Sequence, residues 1–351
     1  MVDQNFWKNK KVFITGHTGF KGSWLSLWLQ EMGANICGYS LPPTTNFNLF
    51  NLAKIENYMT STLQDIGDFS SLSNAISSQE PEIVFHLASQ PLVRASYENP
   101  LETYKTNVMG TVNLFEAIRK QKSIKSIIVI TSDKCYKNNE WIWGYRENDP
   151  LGGRDPYSNS KACVELICES YRTSFFSNNK IGLATARAGN VIGGGDWSED
   201  RLIPDILKNF DKKNKLYIRN PNATRPWQHV IEAISGYLIL AQKLWQNSDE
   251  FSSAWNFGPP ASATKSVEWI IKNLLSHYET KIEYELETKH QPHESQLLAL
   301  DSTKANNLLG WNSKWSLEKT LEEIAKWHKS WLSGDDMREQ SLKQINSYLN
   351  S

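Results

Sequence analysis

Tyr157 and Lys161 stand four residues apart in a stretch whose pattern predicts a helix over 156–175. On a helix that spacing puts both side chains on one face, with the ammonium close to the phenol. A free tyrosine, with a pKa of about 10, is a poor base near neutrality; a lysine charge beside it favours the phenolate. The pair is therefore suited to moving a proton in an alcohol–ketone conversion. Tyrosine and lysine also meet at this spacing by chance on many helices, so the weight of the pair depends on what accompanies it.

Two accompanying features lie at the ends of apolar runs. The segment 12–15 reads as a buried parallel strand and is followed by Gly16, His17, Thr18, Gly19, Phe20, Lys21 and Gly22, then by a helical pattern through Trp24, Leu25 and Trp28 that ends near Gly33. Glycines placed between a strand and a helix allow a tight turn and close approach of the backbone to a pyrophosphate, with the helix amides aimed at its charge. The run 127–130 ends in Thr131, Ser132, Asp133 and Lys134. Further strands are expected at 35–39, 83–87 and 182–186, with helices near 69–78 and 103–120 between them. Alternation of this kind predicts an α/β fold of Rossmann type, a doubly wound parallel sheet with ligands beyond the carboxyl ends of its strands.

Past Arg187 the chain becomes rich in Gly, Asn, Pro and Trp and loses the alternation. We therefore expect a nucleotide-binding domain over 1–186, returning around 230–260, and a smaller, discontinuous α/β substrate domain over 187–351. The 351 residues carry 38 Lys and Arg against 38 Asp and Glu. Such neutrality lacks the basic footprint of a nucleic-acid or anionic-membrane binder, so neither partner is expected. Cys37, Cys135, Cys163 and Cys168 form no CxxC pair or zinc pattern, which suits a reducing cytosol and predicts no metal. No apolar stretch approaches the ~18 residues of a membrane span.

The glycine spacing, the Tyr157/Lys161 pair and Ser132 together resemble the extended short-chain dehydrogenase/reductase superfamily. That resemblance implies that Ser132 holds the substrate oxygen beside Tyr157, and that Asp65 and Ile66 lie against adenine. Ser40 occupies the place of the acid that usually binds the ribose hydroxyls, and no Arg adjoins it for a 2'-phosphate, so this position leaves NAD and NADP open. Epimerases of the superfamily usually have small residues after the Ser; dehydratases have ionisable ones, so Asp133 and Lys134 favour dehydration. The related dTDP-glucose dehydratases place Glu where this chain has Lys134. Asp133 is the expected acid, and Lys134 either serves as the C5 base or orients substrate.

A narrower resemblance is carried by the stretches 15–25, 86–94, 106–113, 131–136, 187–197, 225–230 and 291–294, which are similar to the CDP-glucose 4,6-dehydratase family almost end to end. It implies bound NAD and conversion of CDP-D-glucose to CDP-4-dehydro-6-deoxy-D-glucose, an early step towards the 3,6-dideoxyhexoses of lipopolysaccharide O-antigens. It also implies cofactor contacts from Gly16, His17, Gly19, Phe20, Gly22, Leu87, Ala88 and Ser89. For the substrate it implies Asn190, Arg201 and Arg225 near the diphosphate, Gln90 and Arg94 near the sugar, and His293, with His290, where relatives carry an Arg. Asn107 is expected to be structural, and a homo-oligomer is expected from the superfamily. The competing readings are another nucleotide-sugar dehydratase, a 4-epimerase, or a dinucleotide-binding scaffold without activity.

Overall fold

A computed structural model describes residues 1–211, 216–218, 220–278, 284–286 and 297–351. In chain order the strands are β1 (Lys11–Thr15), β2 (Asn35–Ser40), β3 (Thr60–Leu63), β4 (Ile83–His86), β5 (Ser126–Ile130), β6 (Gly182–Arg187), β7 (Asn190–Ile192), β8 (Leu216–Ile218), β9 (Thr224–His229), β10 (Ala254–Asn256), β11 (Thr264–Ser266) and β12 (Tyr284–Leu286). Seven of them form one parallel sheet in the order β10-β6-β5-β4-β1-β2-β3. From β1 the chain first builds outward through β2 and β3, then crosses to β4, β5 and β6. The reversal opens a crevice beyond the carboxyl ends of β1 and β4, where ligands of such sheets bind. Strands β11, β9 and β7 form a second sheet and β12 and β8 a pair, and β7, β8 and β9 line the crevice.

The longer helices are α1 (Phe20–Glu31), α2 (Phe69–Gln79), α3 (Gly110–Ile118), α4 (Pro156–Tyr171), α5 (Leu202–Asp211), α6 (Val230–Gln246), α7 (Val267–Leu275), α8 (Leu317–Leu332) and α9 (Met337–Leu349). In α1, Gly22 to Leu29 are buried without interruption, because the helix is wedged between the sheet and the helices α6 and α9. Gly33, at φ +75°, turns the chain out of it into β2. The stretch expected as one helix over 103–120 contains a π turn, Lys105–Met109, before α3, and α4 likewise runs into a π turn at Arg172–Phe176.

The late strand β10 lies against β6, with Trp255 beside Ala186, and α6 packs beneath β5 and β6. Helix α9 also reaches the first half of the chain: Arg338 donates to Gln30 at 2.8 Å. Trp7, Trp24, Trp28, Trp255, Trp311 and Trp327 are fully buried in the hydrophobic core that joins these parts. Among the described residues no helix is long and apolar enough to cross a membrane.

Candidate active site

A cleft of about 600 Å³ runs along the carboxyl ends of the sheet from the glycine loop to Arg225. Its volume suits small molecules. At one end β1 delivers Gly16 in a left-handed turn, φ +76°, with its Cα so close to the β4 loop that an added Cβ would lie 2.6 Å from the Ala88 amide. An added Cβ at Gly22 would lie 2.1 Å from the Gly16 carbonyl oxygen. Gly19 caps α1 without a side chain, so no side-chain acceptor covers the first-turn amides. The loop thus presents backbone donors to an anion at a helix N-terminus, and these residues fit a dinucleotide pyrophosphate. Thr18 bonds Ser40 at 2.8 Å, and Ser40, Asp65, Ile66, Leu87, Ala88 and Ser89 continue the lining. The Asp65 carboxylate accepts the Gly67 amide at 2.6 Å, which holds this turn against the cleft.

His17 does not face the cleft. Its ring lies under the loop, fully buried, against Gly38, where a Cβ would meet the imidazole at 2.4 Å, and its Nε2 bonds Ser61 at 2.8 Å. Burial pushes its pKa down to about 4, although the backbone at Tyr39 works the other way. A side chain directed at the sheet through the gap left by Gly38 props the loop from beneath, in place of the cofactor contact expected for it.

The catalytic candidates gather where β5 ends. Ser132 caps a single 3-10 turn, Asp133–Cys135; its hydroxyl accepts the Lys134 amide at 3.2 Å and donates to Asp133 Oδ1 at 2.9 Å. Asp133 is buried, with Oδ2 over Gly189, where a Cβ would come within 2.8 Å. Burial raises its pKa, opposed by the Lys134 charge and the Ser132 hydrogen bond. A carboxyl held towards its neutral form is what a proton donor requires.

Helix α4 supplies Tyr157 and Lys161. Pro156 sits at its first position, and Asp155 caps it by accepting the Ser158 amide at 2.9 Å, which fixes where the helix starts. Burial pushes Tyr157 up to about 12; the Ser132 hydrogen bond and the Arg201 charge pull it down, while Asp133 raises it. Lys161 donates to the Ile130 carbonyl at 3.3 Å, and burial lowers its pKa to about 8 against the attraction of Glu165.

Beneath these groups lies a network that sequence reasoning missed. Arg187 and Glu165 pair through two 2.8 Å contacts, Nε to Oε1 and Nη2 to Oε2. Glu165 also accepts Thr131 at 2.5 Å and Thr185 at 2.7 Å, and Arg187 donates to Tyr136 at 2.6 Å. Glu165 follows Lys161 by four residues, so helical spacing alone would place it on the same inward face.

Across the cleft, Asn190 on β7 and Arg225 on β9 line the wall with Arg201 and Arg94. Arg94 pairs with Asp200 at 2.8 Å and Arg201 with Asp196 at 3.0 Å. Gln90 is turned away. Its amide donates to Leu92 O at 3.0 Å and Thr103 Oγ1 at 2.9 Å, and its Oε1 accepts the Leu92 amide, so the side chain closes its own loop instead of lining a sugar pocket. Asn107 clasps the Gln90 backbone from both sides and donates to Ser160 at 2.9 Å. His290 and His293 lie outside the described residues. Lys21 and Tyr217 also line the cleft, without having been singled out in the sequence.

The family described as GDP-mannose 4,6 dehydratase matches residues 13–324. The chain is 52% identical to the CDP-glucose 4,6-dehydratase of Salmonella typhimurium, over 100% of this chain and 99% of that protein. Among solved structures, the UDP-glucose 4-epimerase of Thermotoga maritima matches with a TM-score of 0.80 at 22% identity, covering 92% of this chain and 99% of that one. The dTDP-glucose 4,6-dehydratase of Bacillus anthracis, in complex with NAD, matches with a TM-score of 0.76 at 21% identity, covering 94% and 99%. These two likenesses bear on the fold; the identity to the Salmonella enzyme goes further. The chain therefore belongs to the nucleotide-sugar 4,6-dehydratases, on the branch of the CDP-glucose 4,6-dehydratases.

Proposed function

We propose that the chain is an NAD-dependent hydro-lyase that converts CDP-D-glucose to CDP-4-dehydro-6-deoxy-D-glucose and water. The observation that carries this reading is the convergence of Asp133 and Lys134 with Tyr157 and Ser132 in one cleft, in a chain 52% identical to a CDP-glucose 4,6-dehydratase. An epimerase has no leaving group to protonate; a dehydratase does.

The loop from Gly16 to Gly22, with Ser40 and Asp65, would hold NAD, which would supply the acceptor for the C4 hydride and its donor to C6. Tyr157 takes the O4 proton, and Ser132 holds that oxygen. The C4 ketone makes the C5 proton acidic; as that proton leaves, with Lys134 serving as the base or orienting the substrate, Asp133 protonates the C6 hydroxyl, which departs as water. After C6 is reduced, a proton returned to C5 completes the product. Arg94, Arg201, Arg225 and Asn190 hold the sugar nucleotide, the guanidinium groups offering paired donors to phosphate oxygens.

The enzyme works as a homo-oligomer in this reading. Leu101 is 82% exposed, Leu166 59% and Met109 51%, on neighbouring helical segments that leave an apolar face for a second copy.

The test is incubation with NAD and with CDP-, dTDP-, GDP- and UDP-linked hexoses, the CDP-glucose carrying deuterium at C4. Conversion of the CDP sugar with deuterium in the C6 methyl group is expected. A 4-epimer, or a deoxy product with no label in its methyl group, overturns the reading.

A further inference from the structure

The segment that leaves β2 reaches from the cofactor end of the cleft to the loop behind the substrate wall. Its first part, through Leu41, Pro42, Pro43 and Thr45, lines the end that would receive adenosine, beside Asp65. Each proline fixes its own φ and confines the residue before it, so this stretch is stiff. Both of its ends are tied. The Leu41 carbonyl accepts the Thr18 hydroxyl of the glycine loop at 2.8 Å. Asn48 donates to the Thr45 carbonyl at 2.9 Å and caps the short helix Leu49–Leu52 by accepting the Asn51 amide at 2.9 Å.

Between these ties stands Phe47, whose ring meets two tryptophans. Its centroid lies 5.9 Å from that of Trp197 and 5.2 Å from that of Trp331 on α8, at interplanar angles of 48° and 69°. Trp197 in turn meets Trp331 at 5.0 Å and Trp327 at 5.6 Å, edge to face. Phe47 is 48% exposed, so shortening it removes little from the core.

Trp197 belongs to the loop that supplies the substrate wall. Before it, the Gly194 carbonyl accepts the Trp24 indole at 2.9 Å, and Gly195 lies so close to the short helix that an added Cβ would come 2.7 Å from Leu49 Cβ. Its neighbour Asp196 accepts the Arg201 guanidinium at 3.0 Å and the Ser198 amide at 3.0 Å, and the Trp197 carbonyl accepts Lys208 Nζ from α5 at 2.8 Å. The position of Trp197 therefore sets where Asp196 holds Arg201. A ligand at the adenosine end bears on a stiff segment, that segment carries Phe47, and Phe47 bears on the residue next to the partner of Arg201.

We infer that Phe47 is a positioning residue that couples the two halves of the cleft: the adenosine end of a dinucleotide, by settling residues 40–48, seats Phe47 on Trp197 and Trp331 and so presents Arg201 to the diphosphate of the sugar nucleotide. This inference rests on the reading of both ligands given above. A wall set in place by the first ligand costs the second less to enter, and by linkage the effect is the same in either order.

The test is calorimetry of CDP binding to nucleotide-free full-length protein, with and without saturating ADP-ribose. ADP-ribose has the adenosine and the pyrophosphate but no nicotinamide, and CDP has no hexose, so the probes omit the groups that meet at the reacting centre. Repulsion between their phosphates acts alike in every variant and cancels in the comparison. The quantity read is the factor by which ADP-ribose strengthens CDP binding. It should fall about fivefold from the unaltered protein to Phe47→Ala, the loss expected of such aromatic contacts, and should be kept in Phe47→Tyr, which retains the ring. Should Phe47→Ala not fold, Phe47→Leu, which keeps apolar bulk without the ring, takes its place and is read the same way. An equal factor in the unaltered protein and the Ala variant, including the case where CDP weakens alike with and without ADP-ribose, overturns the inference and leaves the proposed function standing. Loss of the factor in Phe47→Tyr overturns it too. If CDP or ADP-ribose fails to bind the unaltered protein, the proposed function falls with it.

Discussion

The two walls of the cleft hold their arginines in opposite ways. On the catalytic wall Arg187 and Glu165 are 3% exposed each, and Thr131, Thr185 and Tyr136 take up their remaining hydrogen-bonding capacity. On the substrate wall Arg94 and Asp200 are 29% and 37% exposed, and Arg201 is 31% exposed beside Asp196. Removing a charged pair from water is costly, and only close, saturated geometry recovers the cost. The buried pair therefore fixes one arrangement of the β5 and β6 ends. A half-exposed pair is weakly held, so in the proposed reading an aspartate there would keep a guanidinium in place until a phosphate oxygen replaces it. In the proposed reading one wall positions reacting groups and the other exchanges partners.

The largest way to disturb this contrast is at the group the rigid wall positions. Tyr157→Phe should lower turnover about a thousandfold while the urea midpoint stays within experimental scatter of the unaltered enzyme. A variant that loses stability as well would show the phenol to be part of the scaffold. Glu165→Gln leaves the Arg187 charge buried without its counterpart and should destabilise the fold by about 3–5 kcal/mol in urea denaturation. A loss below about 1 kcal/mol would place the pair in the same class as the rim pairs.

A third expectation concerns pH. Burial lowers His86 to about 3, with the Lys161 charge adding to the effect, and burial lowers His229 to about 3. His86 is pinned between Thr15 at 2.7 Å and Thr111 at 3.0 Å under the catalytic wall. Unfolded imidazoles bind protons from 6.5 downward while these stay neutral in the fold, so stability is complete above that pH and declines below it. Each should remove about 1.4 kcal/mol per pH unit, and His86→Asn should reduce the slope of urea stability against pH. The smallest effect belongs to the rim. Asp200→Asn should change stability by no more than about 1 kcal/mol and should alter KM for the sugar nucleotide without a matching change in kcat.

The sequence was most legible where a backbone pattern sufficed. Val12 to Thr15, the three glycines and the apolar run at 127–130 announced a strand, a phosphate loop and a catalytic strand end. Strand β3, Thr60–Leu63, escaped notice because it is short, polar and at the sheet edge, where only partial burial is demanded of it. The side chains were harder, because their direction depends on gaps that other segments create. His17 turns under its loop because Gly38, on the neighbouring strand, leaves a space. Gln90 turns inward because Thr103 and its own loop satisfy it. Lys21 reads as an ordinary first-turn lysine until Trp24 and Leu25 show which way that face of α1 looks.

The late strand β10 has a bearing on how the enzyme matures. Asn256 accepts the Tyr136 hydroxyl at 2.8 Å and donates to the Tyr145 and Asp301 carbonyls at 2.8 and 3.0 Å. Tyr136 is also the partner of Arg187. A nascent chain that has just cleared the ribosome with Lys161 already holds the full set of acid and base groups, yet the seat under them is unfinished until residue 256, and then 301, has been made. Premature release in that interval would yield a protein with its chemistry encoded and its foundation missing, a natural substrate for quality-control proteases.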